Sequence, residues 1–167
     1  ALKAAALDGA AMLFAGTAMD LLGQTVREAG GSAYDGIGLA SFSVEHGKRR
    51  IVEDVYGHTD LYPEAVVGFI NKYGIVTGVE TPLLTLLELG FGNEKERGPE
   101  GYHWKNVFAS QLTGPLLLKN PKLLETAAAA IYARRGEPLP VDRPKDEWAE
   151  KAYAVTEEQL RLRSQGK

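Results

Sequence analysis

The densest set of side chains able to move protons or hold a polar substrate is Glu53-Asp54-Val55-Tyr56-Gly57-His58-Thr59-Asp60. The carboxylates at 53, 54 and 60 can serve as general acid or base, or accept hydrogen bonds from substrate hydroxyls, where a fold tucks them into a cleft. His58 and Asp60, with Glu53 and Asp54 upstream, also offer imidazole and carboxylate ligands to a hard or borderline metal. The three histidines, at 46, 58 and 103, give no helical i, i+4 pair. A plainer reading keeps the set as a solvated loop, with Asp60 capping a helix that begins near Pro63 and Glu53 and Asp54 balancing the basic knot Lys48-Arg49-Arg50. Lys3 is a separate candidate. An ammonium on an apolar helix face would be desolvated, lose basicity and exchange a proton, whereas at a frayed terminus it would reach water.

Other chemistries find little support. Ser41 and Ser43 flank Phe42 without a Gly-x-Ser-x-Gly turn. Gly36-Ile37-Gly38 lacks the spacing of a dinucleotide fingerprint. With zero Cys there is no disulfide, thiolate metal site or cysteine nucleophile, which fits a reducing cytoplasm.

The elements that would position these residues read as helices. Leu2 to Ala29, rich in Ala, Leu and Met and stopped by Gly30-Gly31, reads as one long helix or two broken near Gly16. Ser32 to Val44 reads as a second helix. Pro63 to Tyr73 and Thr81 to Leu89 each place a Pro in the first helical turn before an apolar face. Gly90 to Gly101 is a charged loop. Trp104 to Leu118, Asn120 to Arg134 and Asp146 to Arg163 read as further helices, with disorder at Ser164 to Lys167. Only Ile75-Val76-Thr77 alternates as a strand would. The expected fold is all-α, a multi-helix orthogonal bundle, with a helical core over 1–136 and a Pro-rich connector and packed C-terminal helix over 137–167.

The 167 residues, 44% hydrophobic and 25% charged, suit one globular domain, and the net charge of -3 lacks the footprint of a nucleic-acid binder. No apolar run approaches the roughly 20 residues of a membrane span. The first residue is Ala, not Met, which reads as a trimmed chain or a piece of a larger one.

A Lys opening a small-residue helix, a Gly-Gly break, a polar segment, and then Gly78-Val79-Glu80-Thr81-Pro82 before a leucine run resembles the helical C-terminal domain of 6-phosphogluconate-dehydrogenase-like enzymes, of the ketopantoate reductase and opine dehydrogenase type. The resemblance covers roughly Ala1 to Gly90. It implies a substrate-binding and dimerisation domain of an NAD(P)-dependent dehydrogenase acting on a small hydroxy or oxo acid. Lys3 would then be the catalytic proton donor, and Glu53, Asp54, His58, Thr59 and Asp60 the substrate-binding segment. NAD(P) would enter only with a separate dinucleotide-binding domain, and this chain alone would bind no cofactor. The implied partners are a small-molecule substrate and a second copy or a partner domain, with no nucleic acid and no membrane. The alternatives are a non-enzymatic helical binding module and a carboxylate/His metal-dependent enzyme.

Overall fold

A long antiparallel hairpin dominates the computed structural model, which describes residues 1–142, 144 and 146–166. Its arms are β4 (Ser43–Thr59) and β5 (Tyr62–Thr77), joined across Asp60-Leu61, with Thr59 paired to Tyr62. Two-residue connections of this kind match the natural twist of paired strands. The β-branched and aromatic residues Val55, Tyr56, Val66, Val67, Phe69 and Ile70 favour the pleated surface. From Ile70 to Thr77 burial alternates, with Ile70, Lys72, Gly74 and Val76 inward. Period-2 patterning is therefore present, but a lysine and a glycine occupy two of its inward positions and hide it from a hydropathy reading.

Two sheets form. The first has the order β1 (Met12–Ala15), β8 (Val107–Ser110), β7 (Tyr102–Trp104), with β1 parallel to β8. The second runs β3 (Ala33–Asp35), β2 (Thr25–Arg27), β4, β5, β9 (Leu112–Thr113), with β6 (Leu86–Leu89) also paired to β4. The chain crosses from one sheet to the other between β8 and β9, at Gln111. One apolar core, including Met19, Leu22, Phe42, Val76 and Val107, lies toward the first sheet, and a second, including Ile70, Leu84, Leu112 and Leu123, lies beneath the hairpin.

The all-α bundle is thus replaced by an α/β fold with two mixed sheets. The expected N-terminal helix is reduced to α1 (Leu2–Leu7), and the segment after it supplies β1, two 3₁₀ turns and β2. Ser32 to Val44 holds β3 and the start of β4, and Pro63 to Tyr73 lies in β5, where Pro63 is tolerated next to the turn. Thr81 to Leu89 ends in β6. Trp104 to Thr113 holds the end of β7, then β8 and β9, and is followed by α2 (Leu116–Lys119). Two helices form where the sequence places them: α3 (Pro121–Arg134) and α4 (Glu147–Ser164), the latter capped by the Asp146 carboxylate accepting from the Trp148 and Ala149 amides. In the 137–167 segment, Arg143, Lys145 and Lys167 lie outside the described residues. Ser164, expected to be disordered, is the last residue of α4.

Candidate functional site

Parallel β1 and β8 bring their carboxyl ends together, at Ala15 and Ser110. Ligands of open α/β sheets bind beyond such ends. Gly16 turns the chain there in a left-handed conformation, φ 62°, into a 3₁₀ turn, and a Cβ built on it would stand 3.5 Å from Thr113 Cγ2.

Behind this edge lies a continuous, largely buried polar network. Asp20, 2% exposed, accepts through Oδ1 from Gln111 Nε2 at 2.8 Å and faces His46 Nε2 with Oδ2 at 3.0 Å. His46 Nδ1 faces Glu28 Oε2 at 3.1 Å. The Gln111 carbonyl accepts from Lys72 Nζ at 2.6 Å, and the same ammonium donates to Gly92 O at 2.6 Å. The orientation of the Gln111 amide is fixed by its partners, because a carboxylate only accepts and an ammonium only donates. Glu100, fully buried, accepts from Ser110 Oγ at 2.8 Å and from the Gln111 backbone N–H at 2.7 Å. Gly74 makes the approach possible: a Cβ there would lie 2.9 Å from Val44 Cγ1 and 3.2 Å from the His46 ring.

Burial sets the electrostatics. It lowers Lys72 to about 8, with the Glu100 and Asp20 carboxylates pulling the other way. It raises Glu100, against the opposing hydrogen bond from Ser110 and the Gln111 amide. For His46 burial favours the neutral ring, but the hydrogen bonds to Asp20 and Glu28 and their charges outweigh it, so its pKa is raised. A ring with a carboxylate at each nitrogen donates to both only as imidazolium. The arrangement can store charge and hold a proton on His46. It joins the two sheets through Gln111 and offers no hydroxyl hydrogen-bonded to a histidine among the described residues.

The residues singled out from sequence sit elsewhere. Lys3 is exposed in the first turn of α1 and is not part of the cavity that holds Glu53 and Asp54. That open cavity, ≈ 420 Å³, is lined by Val52, Glu53, Asp54, Phe69, Leu89, Gly90 and Arg163. Asp54 is ion-paired with Arg163 of α4. His58 Nε2 lies 3.0 Å from Glu88 Oε1, and Glu88 in turn accepts from Ser164 Oγ at 3.1 Å. Thr59 Oγ1 accepts from the Leu61 amide at 3.4 Å, and Asp60 accepts from Thr85 Oγ1 at 3.0 Å, so Asp60 braces a hairpin turn instead of capping a helix. Tyr56 donates to Glu157 at 2.9 Å, and Tyr153 to Ala65 O at 2.8 Å. The acidic strip thereby holds α4 against the hairpin. Among the described residues, no group of three or more His, Cys, Asp and Glu side chains is placed to hold a metal ion.

The sequence reading missed Asp20, Glu28, Lys72, Glu100, Ser110 and Gln111, and named His46 without a role. A signal existed for Lys72 alone, as the polar member of the inward series Ile70, Lys72, Gly74, Val76. The others meet only through tertiary structure.

The molecule is therefore of the α/β class, with a largely buried ionic network joining two sheets at the carboxyl edge of a parallel strand pair. In sequence it is similar to the GatD subunit of lipid II isoglutaminyl synthase (glutamine-hydrolyzing) from Streptococcus pneumoniae (strain ATCC BAA-255 / R6), at 29% identity over 143 residues, 83% of this chain and 54% of that protein. It is also similar to GatD from Staphylococcus aureus (strain N315), at 30% identity over 138 residues, 83% of this chain and 56% of that protein. The chain spans about half the length of these curated relatives. No protein-family model matches it. These relatives and the strand-rich fold overturn the likeness to a helical dehydrogenase domain, and with it the oxidoreductase function and the helical-module and metal-enzyme alternatives. Among the described residues, no helix is long and apolar enough to cross a membrane.

Proposed function

We propose that this chain is a GatD-like subunit, working with a companion subunit in an amidotransferase of the kind its relatives' names describe, and that its own residues do not hydrolyse glutamine. The similarity that runs along 83% of the chain supports the first part, since both relatives are named as subunits. For the second, cleaving a carboxamide by covalent catalysis needs a nucleophile activated by a base, and thiolate is the most capable of the side-chain nucleophiles. The sequence contains no cysteine. His46 is held between two carboxylates and His58 against Glu88. Burial lowers the pKa of His103, whose ring lies 5.1 Å from that of Phe108. At the sharp turn after β1, where an acyl-transfer enzyme of this architecture can carry its nucleophile, the residue is Gly16. A cytoplasmic setting fits the absence of cysteine.

The test is to purify the protein with its companion subunit and follow both co-elution and release of glutamate from L-glutamine. The expected result is one complex of fixed stoichiometry and no glutamate release that depends on this chain. A chain that elutes alone, or only with copies of itself, defeats the subunit reading. Release that survives removal of the companion defeats the non-hydrolysing reading. The double variant Gly16→Cys/Thr113→His is expected to gain slow release blocked by thiol alkylation, because the two side chains would touch. The cost is a strained left-handed cysteine, about 1–2 kcal/mol.

A further inference from the structure

The pairing of the two long arms shifts register twice, near the turn between Gly57 and Thr59 and far from it between His46 and Ile51, and the second interruption gathers the basic knot of the sequence. Pairing runs from His46↔Gly74 directly to Ile51↔Lys72, so residues 47–50 bulge out opposite Tyr73 alone. Such bulges re-aim side chains away from the regular alternation and recur beside functional sites. Here the bulge carries Lys48, Arg49 and Arg50, all exposed. Among the described residues none of the three is ion-paired with a carboxylate. In a chain of net charge -3, three adjacent unpaired cations are a concentrated positive field.

The bulge also forms the wall of a cleft of ≈ 690 Å³, lined on the other sides by Tyr73, Ile75, Phe91, Glu53 and Glu96 among others. The Arg50 guanidinium lies 4.9 Å from the centroid of the Tyr73 ring. Stacking of this kind restrains the guanidinium while leaving its N–H fork available to oxygen pairs. We propose that this cleft binds a compact, multiply charged phosphate group, either free or as the headgroup of a lipid. Two or three close cations, at least one with a restrained fork, match phosphate oxygens better than a single carboxylate. The carboxylates Glu53 and Glu96 also line the cleft, and their charge disfavours an anion that extends past the cations, such as a nucleic-acid backbone. The site is independent of the subunit reading and uses none of the residues at the β1 turn.

The probe is inorganic pyrophosphate, titrated calorimetrically into the full chain at low salt, with sedimentation on phosphatidylglycerol and phosphatidylcholine vesicles as a second arm. Three proteins are compared: wild type, Lys48→Gln/Arg49→Gln/Arg50→Gln, and the charge-matched control Lys105→Gln/Arg135→Gln/Lys151→Gln. Saturable one-site binding that falls at least tenfold in the bulge variant and less than twofold in the control supports the site. Vesicle binding that pyrophosphate competes away identifies a lipid headgroup as source, and pyrophosphate binding without vesicle binding identifies a free phosphate. No saturable binding by wild type, or equal weakening in both triple variants, overturns the proposal in favour of general charge attraction. Since the substituted side chains are exposed, unfolding is not expected. Should the triple variant nonetheless melt early, the rise in wild-type melting temperature with pyrophosphate, compared with that of the control, decides the matter by the same criterion.

Discussion

Two polar regions of this molecule each combine carboxylates, a histidine and a hydroxyl, and they have opposite roles. The strip from Glu53 to Asp60 is contiguous in sequence, its ionisable carboxylates and imidazole are partly or fully exposed, and these side chains are tied to α4, β6 and the segment before it by single contacts. The network of Asp20, Glu28, His46, Lys72, Glu100, Ser110 and Gln111 is scattered along the chain and mostly buried, and its members are bonded in series. Density of charge along a chain measures solvation as readily as chemistry, whereas burial of charge demands partners for every atom. Commitment of polar groups is therefore found at the junction of the two sheets, not on the hairpin that the sequence puts forward.

The strongest way to break the comparison is to remove Lys72. Substituting Lys72→Met leaves the Gln111 carbonyl and Gly92 O without their donor and the Asp20 and Glu100 carboxylates without a nearby cation. Loss of one member of a buried charge set costs about 3–5 kcal/mol. Urea denaturation at pH 7 should show that loss, and a change below 1 kcal/mol would place Lys72 with the surface lysines. His46→Gln comes next. It loses charge-assisted hydrogen bonds to Asp20 and Glu28, about 1.5–3 kcal/mol at acid pH.

The two groups also carry opposite pH signatures. The raised His46 value means the native state binds the extra proton between the ordinary 6.5 and the folded value, so its stabilisation is full below pH 6.5 and fades as pH rises through the folded value. Lys72, lowered to about 8 from 10.5, does the reverse. Between these values the unfolded chain holds the proton and the native one does not, so stability climbs with pH by about 1 kcal/mol per unit. Denaturation between pH 8 and 9.5 should show the climb in wild type and not in Lys72→Met. This window lies below the titration of the tyrosines, several of which burial pushes higher still.

The same contrast explains what the sequence made legible. The helices α3 and α4 were readable because their signals are local: Asn120-Pro121 at one start, the Asp146 cap at the other, and good helix formers within. The strands were not. Met12 to Ala15 has the composition of a helix and becomes β1 because β8, nearly a hundred residues away, supplies its hydrogen-bond partners. In β5 the inward side chain at 72 is an ammonium whose compensation comes from Gln111 and Gly92, invisible from its neighbours. Thr81-Pro82, with the form of a helix start, leads instead into a segment paired with Glu100 and with the hairpin. Among the acidic residues of the strip, identity was legible and tertiary partner was not: Asp54 pairs with Arg163 of α4 and Asp60 with Thr85, contacts that no neighbour in sequence announces.

That last point gives the smallest expected effect. The Asp54–Arg163 pair joins the hairpin to the end of α4 with both side chains about half exposed. An exposed pair gains little, because water screens the charges and ordering two side chains costs entropy, so the coupling should be about 0.2–1 kcal/mol. A double-mutant cycle with Asp54→Asn and Arg163→Gln measures it directly, and added salt should shrink it. Tyr56→Phe supplies the internal comparison on the same helix: its hydroxyl, buried against Glu157, should be worth more than the ion pair and should be insensitive to salt. If instead the Asp54 cycle gave several kcal/mol, the strip would have to be treated as a buried network like the one around Lys72, and the division between a committed junction and a solvated docking face for α4 would fall.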